Sequence, residues 1–302
     1  MYTVKYLPRI ATALKVHQRQ DNIPLIFVFP GDLLSKLEGI EEDYGQTMIR
    51  VLNAFDISYG IISVGNHEDM EVPKLLQRIE ESKFLWLGSN FADFPSTSTS
   101  CLSRSIILEM NDVPTLGFLG LLLNDPKAYG KNPFGGTKIL DPLETIPSLI
   151  DEIHQQVSES LPIIALTHLE TEYDIHVAQT GSFVISFGAH DHNIYKEDVI
   201  HNKGITSVVK PGYDAKNFTL VDMIWPSMNP TEQPTINIRI FDSLDYEPDA
   251  EVQKLVDAIP LDPAVSSFSV SFLSLCLIFS SFFSESLEGS SQIISNSCLY
   301  AR

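Results

Sequence analysis

Positive charge is scarce in this sequence. Lys and Arg total 20 against 39 Asp and Glu, a formal charge of −19. Such a surface repels the phosphate backbone of duplex nucleic acid, which excludes the basic-patch binders of DNA and RNA. A small phosphorylated substrate stays compatible, because metal ions bound in a site dominate the field there. Cysteine is scarce too. Cys101, Cys276 and Cys298 are widely spaced and odd in number, with no CxxC pair, so neither a zinc ribbon nor a disulfide framework is suggested. An apolar leader is also lacking. The opening stretch MYTVKYLPRIATALKVHQRQ has no hydrophobic core of the secretory kind, and a cytoplasmic chain is the expectation.

What the chain does have is a series of short apolar runs, each ended by polar punctuation. Its 302 residues, 44% hydrophobic and 20% charged, suffice for a full core in one large domain. IPLIFVF (23–29) is apolar on both faces, which suits a central, doubly covered strand, and it stops at Pro30-Gly31-Asp32. ISYGIISV (57–64) stops at Gly65-Asn66-His67-Glu68, and FLWLGSNF (84–91) follows. Residues 105–123 read as a hairpin turning at Asn111-Asp112. LPIIALTH (161–168), FVISFGAHDH (183–192), ITSVVKPG (205–212) and NFTLVDMIW (217–225) supply further strands. Helices are expected after Pro8, over 44–56, over 72–82 with apolar residues 3.6 apart, and over 141–158. Alternating strands and helices predict a layered α/β sandwich.

Beyond residue 225 the character changes. Prolines 226, 230 and 234 punctuate a stretch that continues through INIRIF (236–241) and a polar, helix-like 247–259, so residues 226–260 read as a connector or the remnant of a C-terminal domain. Residues 261–302 form an apolar, Ser-rich tail whose uncharged run 264–283 is long enough to cross a bilayer. Three readings of that run stand: a membrane or anchor segment, a packed helix, and an adventitious coding end. Its serines and lack of Lys or Arg flanks weigh against the first.

The residues that carry chemistry lie just past the C-terminal ends of these runs, where sites gather in open α/β sheets. Asp32 follows a turning glycine, and its carboxylate can bridge two cations. Asn66 offers a neutral amide oxygen. His67, its neighbour, is expected on the opposite side if the segment is extended. His168 closes one strand. His190 and His192 are two apart, so on an extended segment their rings share a side. One carboxylate, one amide and three imidazoles make a mixed N/O set suited to Zn, Mn or Fe. Each piece alone is a weak signal, whereas the full order GD, GNHE, H, HDH is a strong one. His17, His154, His176 and His201 lie in polar surroundings and read as surface histidines.

The stretches FVFPGDLLS, SVGNHED, LGSN, IALTHLE and SFGAHDHNIY resemble the calcineurin-like metallophosphoesterases, and among them the 5'-nucleotidase branch. The resemblance covers roughly residues 2–225, and residues 1–225 are read as one metallophosphoesterase domain of layered α/β/β/α type. It implies a two-ion phosphoester hydrolase bridged by Asp32, with Asn66, His168 and His190 completing one site and His192 belonging to the other. It further implies that His67 stabilises the reacting phosphorus or protonates the leaving oxygen. The family's first metal motif, DxH, would precede Met1 here, so the resemblance implies an N-terminally truncated sandwich in which one site is complete and the second partial. It also implies a missing C-terminal specificity domain. In the nucleotidase branch an acidic residue three places after the catalytic His supports it; here that place is Met70, with Asp69 one residue early. The function expected is a metal-dependent phosphatase acting on a small phosphorylated substrate such as a nucleotide. The alternatives are a catalytically impaired one-metal relative and a binding or scaffold protein, the latter touching membrane only through 264–283.

Overall fold

The computed structural model describes residues 4–18, 24–34, 43–97, 101–110, 113–157, 161–227, 229, 232–259, 276–282 and 292–296. Two sheets lie face to face between helices. The first contains β1 (Leu25–Phe29), β2 (Tyr59–Ser63), β3 (Leu85–Leu87), β10 (Asn217–Trp225), β11 (Thr235–Asp242) and β12 (Cys276–Phe282), in the order β11-β10-β12-β1-β2-β3. The second contains β4 (Ser105–Glu109), β5 (Leu116–Leu122), β6 (Ile163–His168), β7 (Ile185–Gly188), β8 (Ile194–His201), β9 (Gly204–Pro211) and β13 (Gln292–Asn296), in the order β13-β4-β5-β6-β7-β9-β8.

Strand alternation builds the layers. In β1, Ile26 and Val28 face the second sheet and pack with Phe118, Ile164, Leu166 and Trp225. Phe27 and Phe29 point the other way, into a core with α1 (Leu7–Gln18), α2 (Gln46–Leu52), α3 (Val72–Glu81) and α6 (Ala250–Asp257). The second sheet mirrors this pattern. Leu119, Leu121, Ile163 and Ala165 pack against Ile146, Leu149 and Ile153 of α4 (Pro142–His154) and Val177 of α5 (Thr171–Gln179). The arrangement is therefore helix, sheet, sheet, helix, as the doubly apolar runs imply. Side chains of this type stabilise by roughly 1.5–3 kcal/mol each when fully buried, so the four layers hold one another in place.

Several expectations need correction. The charged alternation IYKEDVIH, unassigned from sequence, forms the edge strand β8, antiparallel to β9 from Ile194↔Pro211 to His201↔Gly204. TEYDIHVAQ, likewise unassigned, forms α5, which buries only Asp174, Val177 and Ala178. The hairpin of 105–123 is present as antiparallel β4 and β5, while its expected turn at 111–112 lies outside the described residues. In the tail, residues 276–282 are a strand and not a helix: β12 lies between β1, antiparallel, and β10, parallel. Residues 264–275 and 283 lie outside the described residues. Among the described residues no helix is long and apolar enough to cross a membrane. Cys101 is disulfide-bonded, which the spacing of the cysteines does not suggest, because pairing depends on distance in space and not along the chain.

Past β10, the stretch read as a connector carries paired structure. β11 runs antiparallel to β10 from Asn217↔Asp242 to Ile224↔Thr235. Helix α6 is capped by Asp249, which accepts from the Glu251 and Val252 amides and pairs with Lys15 of α1 at 2.5 Å.

Candidate active site

β1 and β2 are parallel, as are β6 and β7. Their C-terminal ends meet at one edge of the sandwich, and four short loops converge there. Gly31 takes φ 98°, open to glycine at no cost, and a Cβ on it would lie 2.5 Å from His168 Nδ1. Only a bare backbone lets the end of β1 pass the His168 ring. Asp32 next to it is also left-handed, at φ 61°. A non-glycine residue held there is strained, and its carboxylate, only 2% exposed, is fixed from several sides.

The His67 amide donates to Asp32 Oδ1 at 2.9 Å. His168 Nε2 lies 3.1 Å from Asp32 Oδ2 and 3.0 Å from Asn66 Oδ1. His190 Nδ1 lies 3.2 Å from the same Asn66 oxygen. The other nitrogen of His168 decides its tautomer. Nδ1 is 2.9 Å from the Pro30 carbonyl oxygen, which can only accept, so Nδ1 holds a proton. Nε2 then turns toward two oxygens and the His190 ring. In the neutral imidazole that places a lone pair among acceptors, and a cation or an added proton between them relieves the repulsion.

Electrostatics point the same way. Burial opposes charge on both Asp32 and His168, but each outweighs it for the other. The Asp32 carboxyl is held below its usual range, and the His168 pKa is raised. Burial, then the neighbouring His168, depresses His190 to about 4. Burial likewise lowers His67 and His192. His190 is therefore neutral at pH 7, the form in which an imidazole can act as a ligand, and His67 and His192 are biased toward the neutral form. Among the described residues no three His, Cys, Asp or Glu side chains form a cage by themselves. The Asn66 amide oxygen is the atom on which the two imidazoles meet. This mixed N/O set is of a kind that a divalent cation can take.

Two expectations about local geometry fail. His190 and His192 do not lie on an extended segment: β7 ends at Gly188, and both adopt positive φ, 84° and 59°. The loop curls, so His190 reaches Asn66 while the His192 ring lies 6.0 Å from that of Tyr213. Asn66, His67 and Glu68 form a single 3-10 turn. The His67 side chain is 37% exposed, with Nε2 3.9 Å from Asp32 Oδ2. Asp69, the early acidic residue, accepts at Oδ1 from the Phe134 amide at 2.6 Å.

Sequence reasoning missed what holds the loops. Glu68 is wholly buried and accepts from the amides of Asp32 at 2.9 Å, Leu34 at 2.6 Å and Gly65 at 2.5 Å. One carboxylate thus ties the loop after β1 to the loop after β2. Burial and the Asp32 carboxylate push Glu68 up to about 7, with the Leu34 and Gly65 amides acting against them. Its place in GNHE was visible, but its partners on the first loop lie more than thirty residues away. Asn90 of the LGSN stretch is a strut: its amide bonds the Leu122 backbone in both directions and the Leu140 carbonyl.

No family model and no curated protein matches the chain by sequence. Solved structures do match by fold. The 5'-nucleotidase precursor from Thermus thermophilus superposes at TM-score 0.68 and 17% identity, over 83% of this chain and 51% of that one. The fold is that of the calcineurin-like metallophosphoesterases. The sulfate thiohydrolase SoxB of Thermus thermophilus shares the metallophosphoesterase fold at TM-score 0.68 and 12% identity, over 84% of this chain and 45% of its own. The NAD nucleotidase NadN of Haemophilus influenzae does so at 0.63 and 16%, over 83% and 59%. The chain spans about half the length of these structures.

Proposed function

We propose that the chain is a metal-dependent phosphoester hydrolase acting on a small phosphate monoester of the nucleotide kind. The observation that carries this reading is the meeting of Asp32 Oδ2, Asn66 Oδ1, His168 Nε2 and His190 Nδ1, linked by separations of 3.0 to 3.2 Å. Asp32, Asn66, His168 and His190 would hold one Mn, Zn or Fe ion, and His192 with Asp32 would contribute to a second. A divalent ion there supplies Lewis acidity and brings the pKa of water from 15.7 to about 7.

The chain's own residues do the rest. Asp32 is kept ionised by His168 and His67. The Pro30 carbonyl orients the His168 ring. His67, exposed enough to meet a substrate and within 3.9 Å of Asp32, would donate a hydrogen bond from its ring N–H to a phosphoryl or leaving oxygen as negative charge gathers there. A fixed donor of this kind contributes about 10²–10³-fold.

The fold matches to two nucleotidases support the substrate class. A second reading, a one-metal relative with little activity, is favoured by the candidates left for the second ion. Asp32 and His192 are two donors, where catalytic transition-metal sites ordinarily have three.

The test is titration of the full chain with Mn²⁺ or Zn²⁺, followed by hydrolysis of p-nitrophenyl phosphate and AMP. Asp32→Ala and His190→Ala should abolish metal uptake and hydrolysis together. His67→Ala should keep metal uptake and lose about 10²–10³-fold in kcat. Undiminished hydrolysis in Asp32→Ala would remove the assignment. Uptake of a single ion without hydrolysis would select the one-metal reading.

A further inference from the structure

One buried cation lies behind the histidine loops, and the function proposed above gives it no part. Lys210, near the end of β9, is 1% exposed. Its Nζ donates to the Leu169 carbonyl at 2.8 Å, the Ala189 carbonyl at 3.0 Å and Asp191 Oδ1 at 2.9 Å. It also lies 2.8 Å from Asp174 Oδ2 of α5, an ion pair by distance whose angle is not that of a directed hydrogen bond.

These partners are placed with consequence. Leu169 follows His168, Ala189 precedes His190, and Asp191 separates His190 from His192. The second oxygen of Asp191 accepts from the Thr171 amide at 2.8 Å and from the Thr171 hydroxyl, which pins the loop to the start of α5. Room for this arrangement is made at Gly188, where a Cβ would lie 2.7 Å from Asp174 Oδ2 and 2.8 Å from Lys210 Cε.

We propose that Lys210, with Asp174 and Asp191, is a positioning residue that sets the curled His190-Asp191-His192 loop for metal capture. The proposal rests on the metal-site reading given above. Left-handed conformations at His190 and His192 are strained for residues with a side chain and persist only where surrounding contacts over-determine them. Lys210 supplies those contacts. It grips the carbonyl before His190 and the carboxylate after it, and the same ammonium grips the carbonyl after His168. The two histidine loops are thereby referenced to one atom. Its reach stops at the backbone, Asp174 and Asp191, so Lys210 acts through the histidines and touches no substrate.

The experiment compares the full-length wild type, His190→Ala and the double variant Lys210→Met/Asp174→Asn, which removes both members of the deepest pair and leaves only the partly exposed Asp191 without its cation. Two readouts are taken. One is Mn²⁺ and Zn²⁺ affinity by calorimetry. The other is the imidazole NMR signals of the metal-free chain, with His154 and His201 as distant references. The double variant should bind metal about 10–100-fold more weakly, the usual effect of losing an outer-shell support, and its His190 and His192 signals should move while the references stay. Should that variant fail to fold, Asp191→Ala, whose side chain is 19% exposed, carries the same expectation. Wild-type affinity with unmoved His190 and His192 signals, beside loss of binding in His190→Ala, overturns the positioning role and leaves the metal reading standing. If the wild type takes up no metal, the metal reading fails and the NMR comparison alone decides whether Lys210 sets the loop.

Discussion

Two buried charges of opposite sign do the same task on the two sheets. On the first sheet Glu68, an acid pushed up to about 7, gathers backbone N–H groups on its carboxyl oxygens and fixes the loops after β1 and β2. On the second sheet Lys210 is a cation that gathers carbonyls and carboxylates and fixes the loops after β6 and β7. The sign follows from what each loop pair presents. Asp32 and Gly65 turn amides inward, and a carboxylate satisfies three of them without a second charge. The loops of Leu169 and Ala189 turn carbonyls inward, and only a donor can satisfy those. The difference lies in neutralisation: Lys210 has Asp174 and Asp191 within 2.9 Å, whereas Glu68 relies on dipoles and has the Asp32 carboxylate as a neighbour that opposes its ionisation.

Removing each charge tests the contrast. Glu68→Ala should be the more damaging, because three buried amides lose their acceptor at about 1–3 kcal/mol each. A fall of at least about 3 kcal/mol by urea denaturation, together with loss of metal uptake, is expected. A loss under about 1 kcal/mol would show that the two loops hold without it. Lys210→Met should follow, at about 3 kcal/mol, since it strands Asp174 as an uncompensated buried charge. Adding Asp174→Asn should restore most of that loss, and a double variant as unstable as the single one would deny that the stranded charge is the cause.

The smallest effect is a pH slope. Burial raises Asp174 from 3.8 to about 6, against the pull of Lys210 and the Thr167 hydroxyl, with Asp191 adding to the rise. A carboxyl whose pKa rises on folding contributes stability that is full below its unfolded value and is lost as pH climbs through the folded one. Wild type should therefore lose ground to Asp174→Asn between about pH 4 and pH 6, read from urea midpoints. A difference between the two that stays flat across that interval would place Asp174 in the ionised state throughout.

The side chains that converge were legible because each lies at the end of an apolar run. Asp32, Asn66, His168 and His190 needed only the rule that loops at strand ends converge, and β1, β2, β6 and β7 obey it. The layered α/β/β/α architecture was legible for a related reason: IPLIFVF and LPIIALTH are apolar on both faces, so each strand must be covered twice. Local geometry was not legible. Treating HDH as extended gave both rings one side, whereas the loop curls through two positive φ values that depend on contacts from β9 and α5. Lys210 was visible as a lone charge in SVVKPG, and Asp191 as the middle of HDH, but nothing along the chain joins them. β8 escaped notice because its alternation is mostly charged, and α5 because its buried face is only three residues wide.

The place of β12 bears on how the protein is made. β1 is completed at residue 29, yet one of its two edges is covered by a strand that begins at residue 276, and the facing edge of β10 waits for the same strand. During synthesis, which releases the N-terminal part first, both edges stay open until residues 276–282 have emerged. An unpaired strand edge is a template for pairing with other chains, so the first sheet passes through an aggregation-exposed interval that the second, built mostly from strands between residues 105 and 211, largely avoids. Yield of native protein should then depend on how fast the last strand is delivered, a matter of timing that the finished sandwich conceals.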